Sequence, residues 1–141
     1  GFARVEAELS LAQLLSTLTA KQREVYELVR RANEAGRAAV HPGARFCDID
    51  KAARDVIAEA GYGEYFTHRL GHQIGLDEHE PGDVSSVHDE EVQVGMCFSI
   101  EPGIYLPGEF GVRIEDLVCV TDDGCEVLNS YPRELAVLGP R

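Results

Sequence analysis

An α+β fold, helices first and an antiparallel sheet afterwards, is what this sequence predicts, and three observations predict it. Residues 19–60 place apolar side chains at helical steps, whereas beyond Gly61 short apolar runs alternate with frequent glycine and proline. The two patterns also occupy separate stretches instead of interleaving, which argues against a parallel α/β sheet.

The elements follow in chain order. Residues 1–18 are ambiguous: Val5, Ala7, Leu9 and Leu11 alternate with polar neighbours as in a strand. Leu11, Leu14, Leu15 and Leu18 nevertheless keep helical spacing, and the Ala, Glu, Leu and Gln content favours a helix. Thr19 has the chemistry of an N-cap for a second helix, in which Val25, Leu28, Val29 and Ala32 recur at steps of three and four. That helix stops before His41-Pro42-Gly43. A third runs from about Asp48 to Ala60, with Ile49, Ala52, Ala53, Val56 and Ile57 on one side and Gly61 at the position after its C-cap. The runs 95–100, 111–114, 116–120 and 126–128 then read as antiparallel strands joined by turns that include Pro107-Gly108 and Asp123-Gly124.

With 141 residues, 44% of them hydrophobic, the chain has the size and composition of one globular domain with a true core. No apolar run reaches the roughly 18 residues of a membrane span, and the N-terminus lacks a signal-peptide pattern. A net charge of −12 excludes a nucleic-acid surface, because phosphates select a basic face. Most of that charge reads as a solvated acidic surface. Cys47, Cys97, Cys119 and Cys125 form no C-x-x-C pair, and three lie in apolar, strand-like surroundings. They read as buried free thiols of a reducing cytoplasm, and not as a disulfide framework.

Candidate chemistry concentrates between residues 66 and 116. His68, His72 and His79 fall within twelve residues. On a helix His68 and His72 would share a face as a zinc pair, but Gly71 and Gly75 favour a loop or strand there. By itself such a histidine pair is more often structural or incidental than metal-binding. Glu101 and Glu115 stand in apolar, strand-like runs where an unpartnered carboxylate is costly. Glu115 can pair with Arg113, two residues away on one strand face, or it can bind metal with Arg113 holding it in place.

The runs His68-Arg-Leu-Gly-His72, Gly75-Leu and His79-Glu-Pro81, Ser99-Ile-Glu-Pro-Gly-Ile-Tyr105 and Gly111-Val-Arg-Ile-Glu-Asp116 resemble, in this order, the pita-bread metallopeptidases. That family includes prolidase, aminopeptidase P, methionine aminopeptidase and creatinase. His79-Glu80-Pro81 with the two carboxylate motifs is most similar to its Xaa-Pro peptidase branch. The resemblance implies that 19–141 is the C-terminal half of a pita-bread (creatinase/aminopeptidase-like) catalytic domain, with 1–18 as an arm outside the match. It also implies hydrolysis of the bond before proline, in a dipeptide or at a peptide N-terminus, by a metal-activated water. His72, Glu101 and Glu115 would ligate manganese, cobalt or zinc, two ions in the complete family site. Glu101 would also shuttle the proton, His79 would donate to the oxyanion, His68 would line the substrate pocket and Arg113 would orient Glu115. His41 and His88 match no such position, and the turn residues beside them predict exposure.

Family members use two further aspartates upstream, and no aspartate precedes residue 20. Asp48, Asp50 and Asp55 belong to the third helix and are poor substitutes. The expectation is therefore weak metal binding, at one site or none, and little peptidase activity from this chain alone. A non-catalytic scaffold and a creatinase-type amidinohydrolase are the alternatives. An unpaired sheet edge and an uncovered apolar face predict a dimer or larger assembly.

Overall fold

A computed structural model of the chain describes residues 18–130; the helix and arm expected over residues 1–18 lie almost wholly outside that range. Helix α1 spans Ala20–Ala38. Thr19 caps it as expected, and Gln22 completes a capping box: Thr19 Oγ1 accepts from the Gln22 N–H at 3.1 Å, and Gln22 Oε1 accepts from the Thr19 N–H at 2.9 Å. Helix α2 spans Phe46–Glu59, two residues earlier than the sequence suggests. Its N-cap, Arg45, makes no side-chain cap. Instead the N–H groups of Phe46 and Cys47 donate to the carbonyls of Glu90 and His88, at 3.1 and 2.7 Å. A distant loop thus does what a local capping residue usually does, which is why the local pattern misplaces the start. Gly61, at φ +88°, follows Ala60 in the left-handed conformation expected beyond the C-cap.

A 3₁₀ turn at Gly63–Tyr65 leads into seven strands. These are β1 (Gly71–Gln73), β2 (Glu80–Val84), β3 (Cys97–Ile100), β4 (Gly103–Leu106), β5 (Phe110–Arg113), β6 (Asp116–Val120) and β7 (Cys125–Val127). Strands β3, β5, β6 and β7 coincide with the four predicted runs. The other three are short and carry glycine, proline or polar residues, so their sequence reads as turn. Every pairing is antiparallel, in a five-stranded sheet ordered β2-β1-β3-β6-β7 and a separate β4-β5 hairpin.

The helices cover one face of the larger sheet. Val25, Val29 and Ala32 of α1 and Ile49, Ala53 and Ile57 of α2 join Phe98, Ile100, Val118 and Val120 in one buried cluster. Burial of each large side chain contributes about 1.5–3 kcal/mol. Residues of alternate parity look the other way. In β6, Leu117 and Cys119 are only half-buried between buried neighbours. All four cysteines are free, but each is partly exposed instead of buried, a correction that period-two alternation explains for Cys97, Cys119 and Cys125 on their strands; Cys47 lies on α2. Cys97 and Cys119 face one another across β3 and β6. Among the described residues no helix is long and apolar enough to cross a membrane.

Candidate metal centre

His72 sits in the middle of β1, 6% exposed. The preceding Gly71 lets β1 approach β3, since a Cβ there would lie 1.8 Å from the Ser99 carbonyl oxygen. His72 Nδ1 is 3.1 Å from the Gln73 carbonyl oxygen, so in the neutral ring the proton sits on Nδ1. Nε2 therefore keeps its lone pair, and it lies 3.6 Å from Glu101 Oε1. This is the orientation of a ligating imidazole, one nitrogen anchored to a carbonyl and the other free.

Glu101 immediately follows β3 and is 9% exposed. Ser99, fully buried on the same strand, joins it to His72: Ser99 Oγ accepts from the His72 N–H at 2.9 Å and donates to Glu101 Oε1 at 3.0 Å. Glu115 approaches from the link between β5 and β6, on the exposed side of the cleft. Burial first, and the Glu101 carboxylate second, push its pKa above the ordinary range; His72 and Arg113 offset part of that effect. One ligand atom from each of His72, Glu101 and Glu115 lies within 4.8 Å of the other two. An imidazole and two converging carboxylates form a donor set that a divalent cation fits, and its charge would relieve the crowding of Glu101 and Glu115.

The sequence-predicted residues His68, His72, His79, Glu101, Arg113 and Glu115 all line one cleft, with Arg69 and Glu78 beside them. The His79 ring lies 4.3 Å from that of His72. Arg113 does not hold Glu115 in the way its spacing suggests. Its Nη1 pairs with Glu101 Oε2 at 3.5 Å, and its Nε donates to Tyr105 Oη at 2.7 Å. Strand β5 ends at Arg113, so alternation no longer fixes which way Glu115 points. Tyr105 in turn is 2.7 Å from His68 Nε2, while His68 Nδ1 is 2.6 Å from the Arg69 carbonyl oxygen. The consistent proton arrangement runs one way: Arg113 donates to Tyr105, Tyr105 to His68, and His68 to the Arg69 carbonyl.

Ser99 and Tyr105 were visible only as letters within a motif. For Ser99 the usable signal was its position two residues before Glu101, which puts both on one strand face. The helix-borne aspartates take no part in the ligand set. Asp50 is buried against Arg54, and Asp55 pairs with Lys51. His41 is exposed as expected. His88 is not: it stacks on Phe46 with ring centroids 4.5 Å apart and lies between Asp83 and Glu90. The apolar ring of Phe46 covers the imidazole that neighbouring turn residues alone would leave in water.

Helices backing an antiparallel sheet, with one imidazole and two carboxylates converging beside it, give the chain part of a pita-bread fold with a candidate metal centre. The model of metallopeptidase family M24 matches residues 12–122, and the chain belongs to that family. It is similar to an uncharacterised peptidase of Staphylococcus saprophyticus, 51% identical over 117 residues, which are 83% of this chain and 33% of that protein. Among solved structures it resembles the prolidase of Pyrococcus horikoshii, with TM-score 0.82 and 44% identity over 84% of this chain and 34% of that one. It also resembles the Xaa-Pro dipeptidase of Bacillus anthracis, with TM-score 0.81 and 42% identity over 85% of this chain and 34% of that one. The chain thus spans about a third of the length of these relatives.

Proposed function

We propose that His72, Glu101 and Glu115 hold a divalent cation in an Xaa-Pro peptidase site, which hydrolyses the bond before proline in a dipeptide or at a peptide N-terminus. The convergence of the three ligand atoms within 4.8 Å carries this reading. Manganese, cobalt and zinc all suit such a donor set, and the resemblance implies a second ion in the complete family site. A cation held by His72, Glu101 and Glu115 would supply Lewis acidity and lower the pKa of its water to about 7, making hydroxide available near neutral pH.

The chain's own residues supply the rest. Glu101, held by Ser99 and paired with Arg113, accepts the proton of the attacking water and passes it to the leaving imino nitrogen. His79, exposed at the mouth of the cleft, donates to the developing oxyanion. His68, fixed through Tyr105, lines the substrate side, and Arg113 orients Glu101. The free thiols suit the cytoplasm as the compartment.

The test is manganese titration of the chain, followed by electron paramagnetic resonance, together with hydrolysis assays on Ala-Pro, Ala-Ala and creatine. With only these three ligands, weak uptake at one site, lost in His72→Ala and Glu101→Gln, is expected, and such cleavage as the chain shows alone should be slow and favour Ala-Pro over Ala-Ala. Absence of uptake sinks the reading. Uptake without cleavage would mark a binding scaffold, and creatine hydrolysis would mark an amidinohydrolase.

A further inference from the structure

Asp50 and Arg54 lie one turn apart on α2, outside the cleft. Asp50 is fully buried. An aspartate and an arginine four residues apart usually form a solvent-facing helix pair of small value, as Lys51 and Asp55 do on the exposed side of the same helix. The Asp50–Arg54 pair, its carboxylate fully buried and its guanidinium half-buried, is differently engaged. Arg54 grips the carboxylate with two nitrogens, Nε to Oδ2 and Nη2 to Oδ1, both at 2.8 Å. The same guanidinium donates to the carbonyls of Phe66 at 3.1 Å and His68 at 2.9 Å, and stacks 4.0 Å above the Phe66 ring. The Leu70 N–H is shared: it donates to the Val84 carbonyl at 2.9 Å and to Asp50 Oδ1 at 3.2 Å. The pair therefore grips residues 66, 68 and 70, a segment outside helix and strand that leads directly into β1 and His72.

Leu70 passes this grip onward. Its carbonyl accepts from the Glu101 N–H at 2.8 Å. One fully buried residue thus shares its N–H between the β2 carbonyl of Val84 and Asp50, and is tied by its carbonyl to a proposed metal ligand, two positions before the other ligand, His72. A buried charge pair is a poor way to gain stability, because apolar residues of similar volume often do as well or better. Its use here lies in geometry: a planar fork and a carboxylate fix backbone groups in direction as well as distance.

We infer that Asp50 and Arg54 are positioning residues for the metal centre, setting the backbone that aims His68 and His72 and spaces His72 from Glu101. The inference rests on the reading of His72 and Glu101 as metal ligands. The test compares the whole chain with Asp50→Leu/Arg54→Met, and with Lys51→Met/Asp55→Leu as a control on the same helix. Melting temperature, manganese affinity and the imidazole NMR signals of the metal-free protein are measured.

The buried-pair variant should melt near the parent, bind manganese roughly 10-fold or more weakly, and shift the His68 and His72 signals. The control should change none of these. Unchanged affinity and unmoved signals in the folded buried-pair variant would overturn the inference. Should that variant not fold, Arg54→Lys replaces it: lysine keeps the charge without the fork, so the same loss and the same shifts are expected, and their absence is equally decisive. If the parent takes up no manganese, the functional reading fails, and the His68 and His72 signals decide the positioning role by themselves.

Discussion

Ser99 and Glu115 pull the metal-free protein in opposite directions. Ser99 Oγ is bonded on both sides, to the His72 N–H and to the Glu101 carboxylate, in a fully buried position. Ser99→Ala leaves that N–H without its acceptor and is expected to cost about 1–3 kcal/mol, read from urea unfolding. A variant as stable as the parent would mean that the hydroxyl is dispensable to the fold. Glu115 is the contrary case, since its pKa is raised by burial and by Glu101. A carboxyl that binds its proton more tightly when folded loses stability as pH rises from the unfolded value of 4.5 through the raised folded value. Glu115→Gln removes this loss. It should stabilise the metal-free chain at pH 7 by up to about 1 kcal/mol, discounted for the exposure of the site, and have no such effect well below pH 4.5. The same change should weaken manganese binding. Stability and affinity that fall together would contradict the account of crowded carboxylates.

At the scale of elements, α2 depends on the loop that follows β2. The His88 and Glu90 carbonyls receive the first N–H groups of the helix, and the His88 ring stacks on Phe46, its first residue. Burial, the largest single influence on His88, lowers its pKa, but the Asp83 carbonyl and the Glu90 and Asp83 carboxylates together outweigh it and leave the value raised. A histidine raised in the folded state adds stability that is complete below its unfolded value of 6.5 and vanishes as pH climbs through the folded value. Parent and His88→Gln, compared by thermal unfolding across pH 5 to 8, should therefore differ most at the acid end. The pH-dependent part should be about 0.5 kcal/mol, given screening by solvent. A gap that widens toward alkaline pH would reverse the argument. This contact also shows where local pattern stops being informative. Helix α1 was legible because its period and its Thr19 cap both lie in adjacent residues. The start of α2 and the burial of His88 were not, since each depends on a partner far along the chain, and β1, β2 and β4 were not because they are short and carry glycine or proline. The site divides in the same way. His72, Glu101 and Glu115 stand in motifs with recognisable neighbours, whereas Asp50, Arg54 and Tyr105 reach the cleft through backbone groups or side chains set by strand register.

The whole molecule presents unequal edges. Among the described residues, the larger sheet ends at β2 on one side and at β7 on the other. Strand β2 is guarded by Glu80, Pro81 and Asp83, residues that discourage pairing with another chain. Strand β7 carries the single charge of Glu126 and runs into Leu128, which is 53% exposed. Association of two copies is therefore expected through β7. Each copy carries a charge of −12, so their mutual repulsion opposes that contact until salt screens it over about 8–10 Å. Light scattering at micromolar concentration should show a dimer or larger species whose share grows with ionic strength. Leu128→Lys, a change at an exposed position, should move the population toward monomer while the far-ultraviolet circular dichroism stays the same. A monomer at every salt concentration would rule the edge out as a contact. A dimer insensitive to Leu128→Lys would place the interface elsewhere, on the half-buried face that carries Leu117 and Cys119.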